Sequence, residues 1–233
     1  MISYSRQTID KKDINSVQKV LKSNFLTQGP MVPKFEKKIS KFVKSKYAVA
    51  VNSATSGLHI ACLSLGLKKG EILWTTPNSF VASSNCALYC GAKVDFVDIN
   101  LNDFNICHKK LEDKLKIAKK KNKLPKILVV VHFAGNPCNL KYIKNLSKKY
   151  KFKILEDASH ALGSKYNNKK IGNCQYSNAT IFSFHPVKPI TTAEGGMVTT
   201  NDKKTFEKLI LFRNHGITRN TKKFKNKEKN SWN

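Results

Sequence analysis

The chain has 233 residues, 40% of them hydrophobic, and is long enough to bury one large core or two small ones. No apolar run approaches the length that spans a bilayer, and Met1 to Asp10 contain no apolar signal-peptide core. We therefore expect neither a membrane span nor a secretory signal, and a cytoplasmic location. The six cysteines are scattered without the spacing of a zinc site, which predicts reduced thiols and no metal centre.

The formal net charge of +28 is the feature that most favours a nucleic-acid-binding domain. The lysines, however, lie mainly on predicted helix faces and in loops, as at 119–121. No RNP, zinc-finger or helix-turn-helix pattern accompanies them. We interpret the charge as a solvated cationic surface, which would also attract an anionic sugar nucleotide. A basic nucleic-acid-binding domain is the alternative.

Hydrophobic periodicity predicts two helices near the N-terminus. Asp10 suits the cap of the first, and the apolar residues between Ile14 and Leu21 recur at the spacing of one helical face. A loop at 24–30 ends in Gly and Pro, and Pro33 suits the first turn of the second helix. These two helices form an arm that leads into the rest of the chain.

From Tyr47 onward, apolar strands alternate with helices. Repeated strand–helix units with short connections predict an α/β fold with a mainly parallel sheet, covered by helices on both faces. Ligands of such sheets bind beyond the carboxyl ends of the strands. The predicted strands are 47–51, 72–76, 94–97, 127–132, 152–156, 179–184 and 195–200. The predicted helices that follow Tyr47 are 53–65, 79–89, 108–120, 140–149 and 202–212.

Lys188 lies in the turn between the apolar runs 179–184 and 195–200. A lysine held between two buried strands is partly desolvated, which lowers its pKa and lets its amine attack an aldehyde. In so lysine-rich a chain, a lysine in an exposed surface loop is the alternative. The local pattern by itself leaves both interpretations open.

Three further segments follow predicted strands at the same edge. The turn 53–57 opens a helix and offers N–H groups and hydroxyls to a phosphate, although Ser and Thr are also ordinary helix caps. Phe80 is either a core residue or a ring that contacts a ligand. Asp157 ends an apolar strand, where a carboxylate is costly unless it meets a cation or caps a helix. Strand alternation points Glu156 to the opposite side.

The segment 183–188 (Ser-Phe-His-Pro-Val-Lys), followed by Glu-Gly-Gly at 194–196, resembles the lysine segment of the DegT/DnrJ/EryC1/StrS family of sugar aminotransferases. Those enzymes use pyridoxal 5′-phosphate, and the turn, the aromatic and the acidic motif also fall in the family's order. The resemblance implies the large domain of a fold-type-I pyridoxal-phosphate enzyme. Lys188 would bond the cofactor aldehyde and carry a proton, and Asp157 would pair with the protonated ring nitrogen. His132 would lie near the cofactor, without an assigned step.

The resemblance also implies the contacts of cofactor and substrate. The subgroup most resembled transfers an amino group from glutamate to C4 of a UDP-linked 4-keto-6-deoxy N-acetyl sugar in pseudaminic acid biosynthesis, and the family forms homodimers. The implied cofactor contacts are Ala54, Thr55, Ser56, Phe80, Asp157, His160, Ser183 and Lys188. The implied substrate contacts are Tyr4, Asn24, Phe25, Leu26, Thr27, Ala54 and Ser183.

Residues 1–233 would correspond to the N-terminal arm and the cofactor-binding large domain of that family. The family's small C-terminal domain would then be missing, so we expect a C-terminally truncated chain, either a fragment or an interrupted reading frame. An inactive remnant of such an enzyme is therefore a further alternative.

Overall fold

The computed structural model describes residues 5–218, which contain seven α-helices and a seven-stranded main sheet. Tyr4, an expected substrate contact, lies outside the described residues. The helices are α1 Lys11–Leu21, α2 Met31–Val43, α3 Ala54–Ser64, α4 Ala82–Leu88, α5 His108–Lys120, α6 Leu140–Tyr150 and α7 Lys203–Arg213. Side-chain caps begin several of them, as expected from Asp10, which accepts hydrogen bonds from the backbone N–H groups of Lys12 and Asp13.

The main sheet has the strand order β1-β9-β8-β5-β4-β2-β3. Its strands are β1 Tyr47–Val51, β2 Ile72–Thr75, β3 Lys93–Phe96, β4 Ile127–Val131, β5 Lys153–Asp157, β8 Ala179–Ser183 and β9 Gly196–Thr200. All neighbouring pairs are parallel except those of β9, which is antiparallel to both β8 and β1. The predicted mainly parallel sheet is thus confirmed. A separate two-stranded hairpin, β6 Lys165–Tyr166 with β7 Lys169–Lys170, was not predicted.

Helices cover both faces of the sheet, because successive strand residues point to opposite sides. In β4, Leu128 and Val130 pack into the core under α2, α5 and α6, whereas Ile127 and Val129 pack into the core under α3, α4 and α7. All four side chains are fully buried. The two cores hold the sheet rigidly, so the groups at its ends are held on a fixed frame.

Two differences from the predicted elements concern the N-terminal half. Helix α4 begins at Ala82 rather than near Ser79, so Phe80 remains in the turn that follows β2. Helix α1 forms with the expected apolar face, but none of its residues is buried, and Val17 is 58% exposed. Within residues 5–218, no helix is long and apolar enough to cross a bilayer.

Candidate active site

One edge of the sheet collects most of the predicted site residues. The parallel strands all end there, and because β9 runs the other way, it begins at the same edge. Gly196, its first residue, is paired with Ser183 on one side and with Val51 on the other. The turn after β1, the end of β8 and the lysine segment between β8 and β9 are therefore neighbours. The sheet topology brings together segments that are far apart in the sequence.

The turn 53–57 meets Gly196 at close range. The Ser53 side chain caps α3 by accepting a hydrogen bond from the Ser56 N–H at 3.1 Å, and the two hydroxyl oxygens lie 3.0 Å apart. A Cβ on Gly196 would lie 2.5 Å from the carbonyl carbon of Ser53 and 2.6 Å from the nitrogen of Ala54. Ala54 and Thr55 begin α3, where N–H groups have no carbonyl of the helix to bond. This turn can therefore donate to an anion.

Asp157 ends β5 as a buried carboxylate that is 6% exposed. Its Oδ2 accepts a hydrogen bond from the Ser83 hydroxyl at 2.6 Å. Its Oδ1 accepts from the N–H of Ser159 at 3.2 Å and from the Ser159 hydroxyl at 2.6 Å. Both neighbouring serines thus donate hydrogen bonds to the oxygens of this carboxylate. The sequence pattern points to neither Ser83 nor Ser159, and Ser83 is 74 residues away from Asp157 along the chain.

Lys188 is half-buried, and its Nζ is hydrogen-bonded to Nε2 of His160. The hydrogen bond to His160 favours a site residue over a lysine in an exposed surface loop. Burial lowers the pKa of the Lys188 amine below that of an ordinary lysine, and the Asp157 carboxylate opposes this shift. Burial, and after it the charge of Lys188, lowers the pKa of His160, again against the effect of Asp157. The three side chains thus share one electrostatic environment.

The backbone of His160 lies close to the turn after β4. Gly135 in that turn has φ +84°, and a Cβ on it would lie 2.7 Å from the carbonyl oxygen of His160. Ser164 donates a hydrogen bond from its hydroxyl to the Gly135 carbonyl at 2.7 Å. Because Gly135 has no side chain, the backbone of His160 can approach this turn closely.

His132 lies on the other side of β5 and is fully buried. Its Nδ1 accepts a hydrogen bond from the N–H of Cys138 at 3.2 Å, so its Nε2 carries the proton, and Nε2 lies 2.8 Å from Oε2 of Glu156. The other oxygen of Glu156 accepts from the Thr180 hydroxyl at 3.0 Å. Glu156 and Asp157 therefore point to opposite sides of the sheet, as strand alternation predicted. His132 is hydrogen-bonded to Glu156 and not to Asp157.

The remaining predicted contacts are exposed. The Phe80 side chain is 75% exposed in the turn that also leads to Ser83. The loop from Asn24 to Thr27 is exposed as well, and within residues 5–218 its hydrogen bonds join members of the same loop and its flanks. Gln28 lines a cleft with the end of α7. The structure therefore gathers the predicted cofactor residues and leaves the predicted substrate loop open to solvent.

Comparison with known proteins identifies the family. The model of the DegT/DnrJ/EryC1/StrS aminotransferase family matches residues 7–231. The UDP-4-amino-4,6-dideoxy-N-acetyl-beta-L-altrosamine transaminase of Campylobacter jejuni strain 81-176 is 48% identical over 94% of this chain and 56% of that protein. Helicobacter pylori PseC, an aminotransferase involved in the biosynthesis of pseudoaminic acid, superimposes with a TM-score of 0.84 at 40% identity, over 98% of this chain and 59% of that one.

A more distant relative was solved in a PLP form. The putative sugar aminotransferase Spr1654 of Streptococcus pneumoniae, in its PLP form, superimposes with a TM-score of 0.83 at 26% identity, over 93% of this chain and 59% of that one. The chain thus spans between half and two thirds of the length of the proteins it matches. Since the family model covers nearly all of its residues, the chain belongs to the DegT/DnrJ/EryC1/StrS aminotransferase family.

Proposed function

We propose that the protein containing this chain is a pyridoxal-phosphate-dependent aminotransferase. It would transfer the amino group of glutamate to C4 of a UDP-linked 4-keto-6-deoxy N-acetyl sugar. The observation that carries this proposal is the meeting of Lys188, His160 and Asp157 at the edge where Ser53 and Gly196 form an anion-binding turn. The identity of 48% to a relative named as a transaminase of such a sugar supports the substrate.

The residues present fit pyridoxal 5′-phosphate. The cofactor has an aldehyde, a basic ring nitrogen and a phosphate, and this edge offers a partly desolvated amine, a buried carboxylate and the start of a helix. Phe80 provides an exposed aromatic ring in the turn that follows β2. Lys188, Asp157 and His160 would hold the aldehyde and ring, and Ala54, Thr55, Ser56 and Ser183 would hold the phosphate.

When bound, the cofactor would supply an acceptor for the electrons released when a proton leaves the substrate carbon. The chain's own residues set the conditions for this chemistry. The lowered pKa of Lys188 favours the unprotonated Nζ, which can attack an aldehyde carbon and later accept a proton. The buried carboxylate of Asp157 would accept a hydrogen bond from a protonated nitrogen that faces it. His160 holds Nζ of Lys188 on the side of the site that the ring would occupy.

The remaining assignments stay proposals. Asn24, Phe25, Leu26 and Thr27 would line the site of the nucleotide sugar together with Tyr4, and the net charge of +28 favours approach of the anionic nucleotide. A homodimer is proposed, as in the family. The exposed apolar face of α1 supports this proposal, because such a face is typical of a surface that another chain covers. The cytoplasmic location also stays a prediction.

Cofactor binding is the property to test on this chain directly. Titration with pyridoxal 5′-phosphate should produce a shifted absorption band, and borohydride reduction followed by peptide mass mapping should place the modification on Lys188. The Lys188→Ala variant should lose both signals. Lys165→Ala, which removes an exposed lysine of the β6–β7 hairpin, should retain them. Modification spread over many lysines, and unchanged by Lys188→Ala, would contradict the proposal.

Amino transfer is the second test. The UDP-linked 4-keto sugar and glutamate should give the 4-amino sugar and 2-oxoglutarate, measured by chromatography of both products. This chain spans 56% of the length of its Campylobacter relative. Amino transfer should therefore be assayed with the protein at full length. Release of 2-oxoglutarate without a keto sugar, or with a sugar that lacks the keto group, would argue against the proposed acceptor.

A further inference from the structure

Three hydrogen-bond donors from two serines contact the Asp157 carboxylate. Ser83, which is 1% exposed, donates to Oδ2 at 2.6 Å from α4. Ser159 donates twice to Oδ1, from its N–H at 3.2 Å and from its hydroxyl at 2.6 Å. A carboxylate has about four lone-pair sites, two on each oxygen. The two donors from Ser159 fill Oδ1, and Ser83 fills one of the two sites on Oδ2.

The Ser83 hydroxyl also connects Asp157 to the turn that carries Phe80. Its oxygen lies 2.8 Å from the hydroxyl oxygen of Ser79. Because the hydrogen of Ser83 is used for Asp157, the Ser79 hydroxyl must donate to Ser83. The chain of hydrogen bonds therefore runs in one direction, from Ser79 through Ser83 to Asp157. Ser79 immediately precedes Phe80. One hydrogen-bond network therefore connects the turn that carries Phe80 to the carboxylate of Asp157.

We infer that Ser83 is a positioning residue, which turns Asp157 so that one acceptor site on Oδ2 remains for the protonated ring nitrogen of the cofactor. This inference rests on the proposed function. Lys188 and His160 are ionisable groups near Asp157, whose charge opposes the lowering of their pKa values by burial. Among the described residues, the hydrogen bonds to the carboxylate come from Ser83 and Ser159 rather than from these two groups. Glu156 and His132 lie on the opposite side of β5.

The nitrogen-specific role of Ser83 is testable with two ligands. The first is pyridoxal 5′-phosphate, and the second is its analogue with CH in place of the ring nitrogen. Ser83→Ala removes one hydrogen bond to a charged group and should weaken binding of the natural cofactor by about tenfold. Binding of the analogue should change little, because it offers Asp157 no N–H. Dissociation constants from absorbance titration measure both.

Ser84→Ala is the matched control, since the Ser84 hydroxyl donates to the Val81 carbonyl at 2.9 Å and does not reach Asp157. It should leave both dissociation constants unchanged. Ser159→Ala changes another segment and should cause the same selective loss of cofactor binding. It therefore separates the loss of a donor to Asp157 from misfolding of α4. Thermal melting of the cofactor-free variants shows whether each one is folded.

Equal weakening of both ligands by Ser83→Ala would show a structural role only and overturn the inference, as would no weakening of either. Either result would leave the proposed function standing if the wild-type protein binds the cofactor through Lys188. Wild-type protein that binds neither ligand would overturn both the inference and the proposed function.

Discussion

The carboxyl edge of the sheet and the segment of residues 10–30 are organised by different kinds of contact. At the edge, polar side chains far apart in sequence meet, as Ser83 does with Asp157 across 74 residues. In the N-terminal segment the hydrogen bonds are local, as in the capping box of Asp10 and Asp13, and α1 buries none of its residues. Local signals are enough to form a helix, but only the sheet fixes where a side chain lies.

Helix α2 shows the intermediate case. It has an apolar face like that of α1, but it buries Ile39 and Val43 against the sheet. Its Glu36 also accepts a hydrogen bond from the N–H of Ala50 at 2.9 Å and pairs with Arg213 from α7. The chain therefore becomes firmly attached at α2, and the predicted substrate loop lies before that point. The following predictions test this contrast.

The strongest test of the edge is Gly196→Ala. The new Cβ would lie 2.5 Å from the carbonyl carbon of Ser53, so either the β9 ladder or the turn 53–57 must move. We expect the free energy of unfolding to fall by about 3 kcal/mol, together with a loss of phosphate-dependent cofactor binding. Chemical denaturation and cofactor titration measure the two effects.

Gly163→Ala is the control for that substitution. It also replaces a glycine, at φ +97°, but nothing lies within 4 Å of the new Cβ. It should cost only the backbone strain of about 1 kcal/mol and leave cofactor binding intact. Wild-type cofactor affinity in Gly196→Ala would show that the turn does not depend on the close approach of β9.

Glu36→Ala tests the attachment of α2. The change removes the ion pair with Arg213 and leaves the Ala50 N–H without its acceptor, so we expect a loss of about 2 kcal/mol in the free energy of unfolding. Lys126→Ala breaks only the exposed pair with Glu71, at 3.3 Å, and should change stability by less than about 1 kcal/mol. Equal effects of the two substitutions, measured by denaturation, would contradict the assigned role of Glu36.

The pH dependence of cofactor capture tests the environment of Lys188. Burial lowers the pKa of this amine, so its unprotonated form becomes abundant at a lower pH than in an ordinary lysine. The capture rate should therefore rise with pH and reach half of its maximum below the pKa of a free lysine side chain, about 10.4. Stopped-flow absorbance measures the rate, with N-acetyl-lysine as the reference amine. A midpoint at or above that of the reference would mean that the amine is fully solvated.

The smallest effect is expected in α1. Val17 is 58% exposed, so Val17→Ser should change the free energy of unfolding by less than about 0.5 kcal/mol at dilutions where the chain is monomeric. Ile39→Ser in α2, where the side chain is 6% exposed, should cost several times more. A loss above about 1 kcal/mol for Val17→Ser would show that the apolar face of α1 is covered in solution.

The sequence predicts much of this arrangement because buried strands and their ends have strong local signals. The apolar runs place β4, β5 and β8 to within about two residues, and alternation along β5 assigns Glu156 and Asp157 to opposite sides. The selection of Lys188 needed the family's motif in addition, since a lysine-rich chain offers many alternatives. Local pattern and resemblance together therefore predict the fold and the residues gathered at its edge.

What escaped prediction depends on contacts between distant segments. No local pattern marks Ser83 as the partner of Asp157, because it lies within the predicted helix 79–89 like any other polar helix residue. The same holds for Gly196. A side chain at this position is excluded only because β9 approaches the turn at Ser53 closely in the folded protein. His132 could be located at a strand end, but its bond to Glu156 follows from the strand order. Helix α1 shows the opposite situation. Its apolar pattern is evident in the sequence, but no segment within residues 5–218 buries its apolar face.

The segment that carries Lys188 is suspended between two strands that are themselves hydrogen-bonded, at Ser183 and Gly196. Its ends stay fixed whatever the residue in between does, and the lysine side chain contributes little to either core. A family built on this hairpin can therefore exchange the reactive group at one position while the scaffold continues to fold. The architecture is in this sense evolvable: new chemistry needs a change of side chain on the hairpin, not a change of fold.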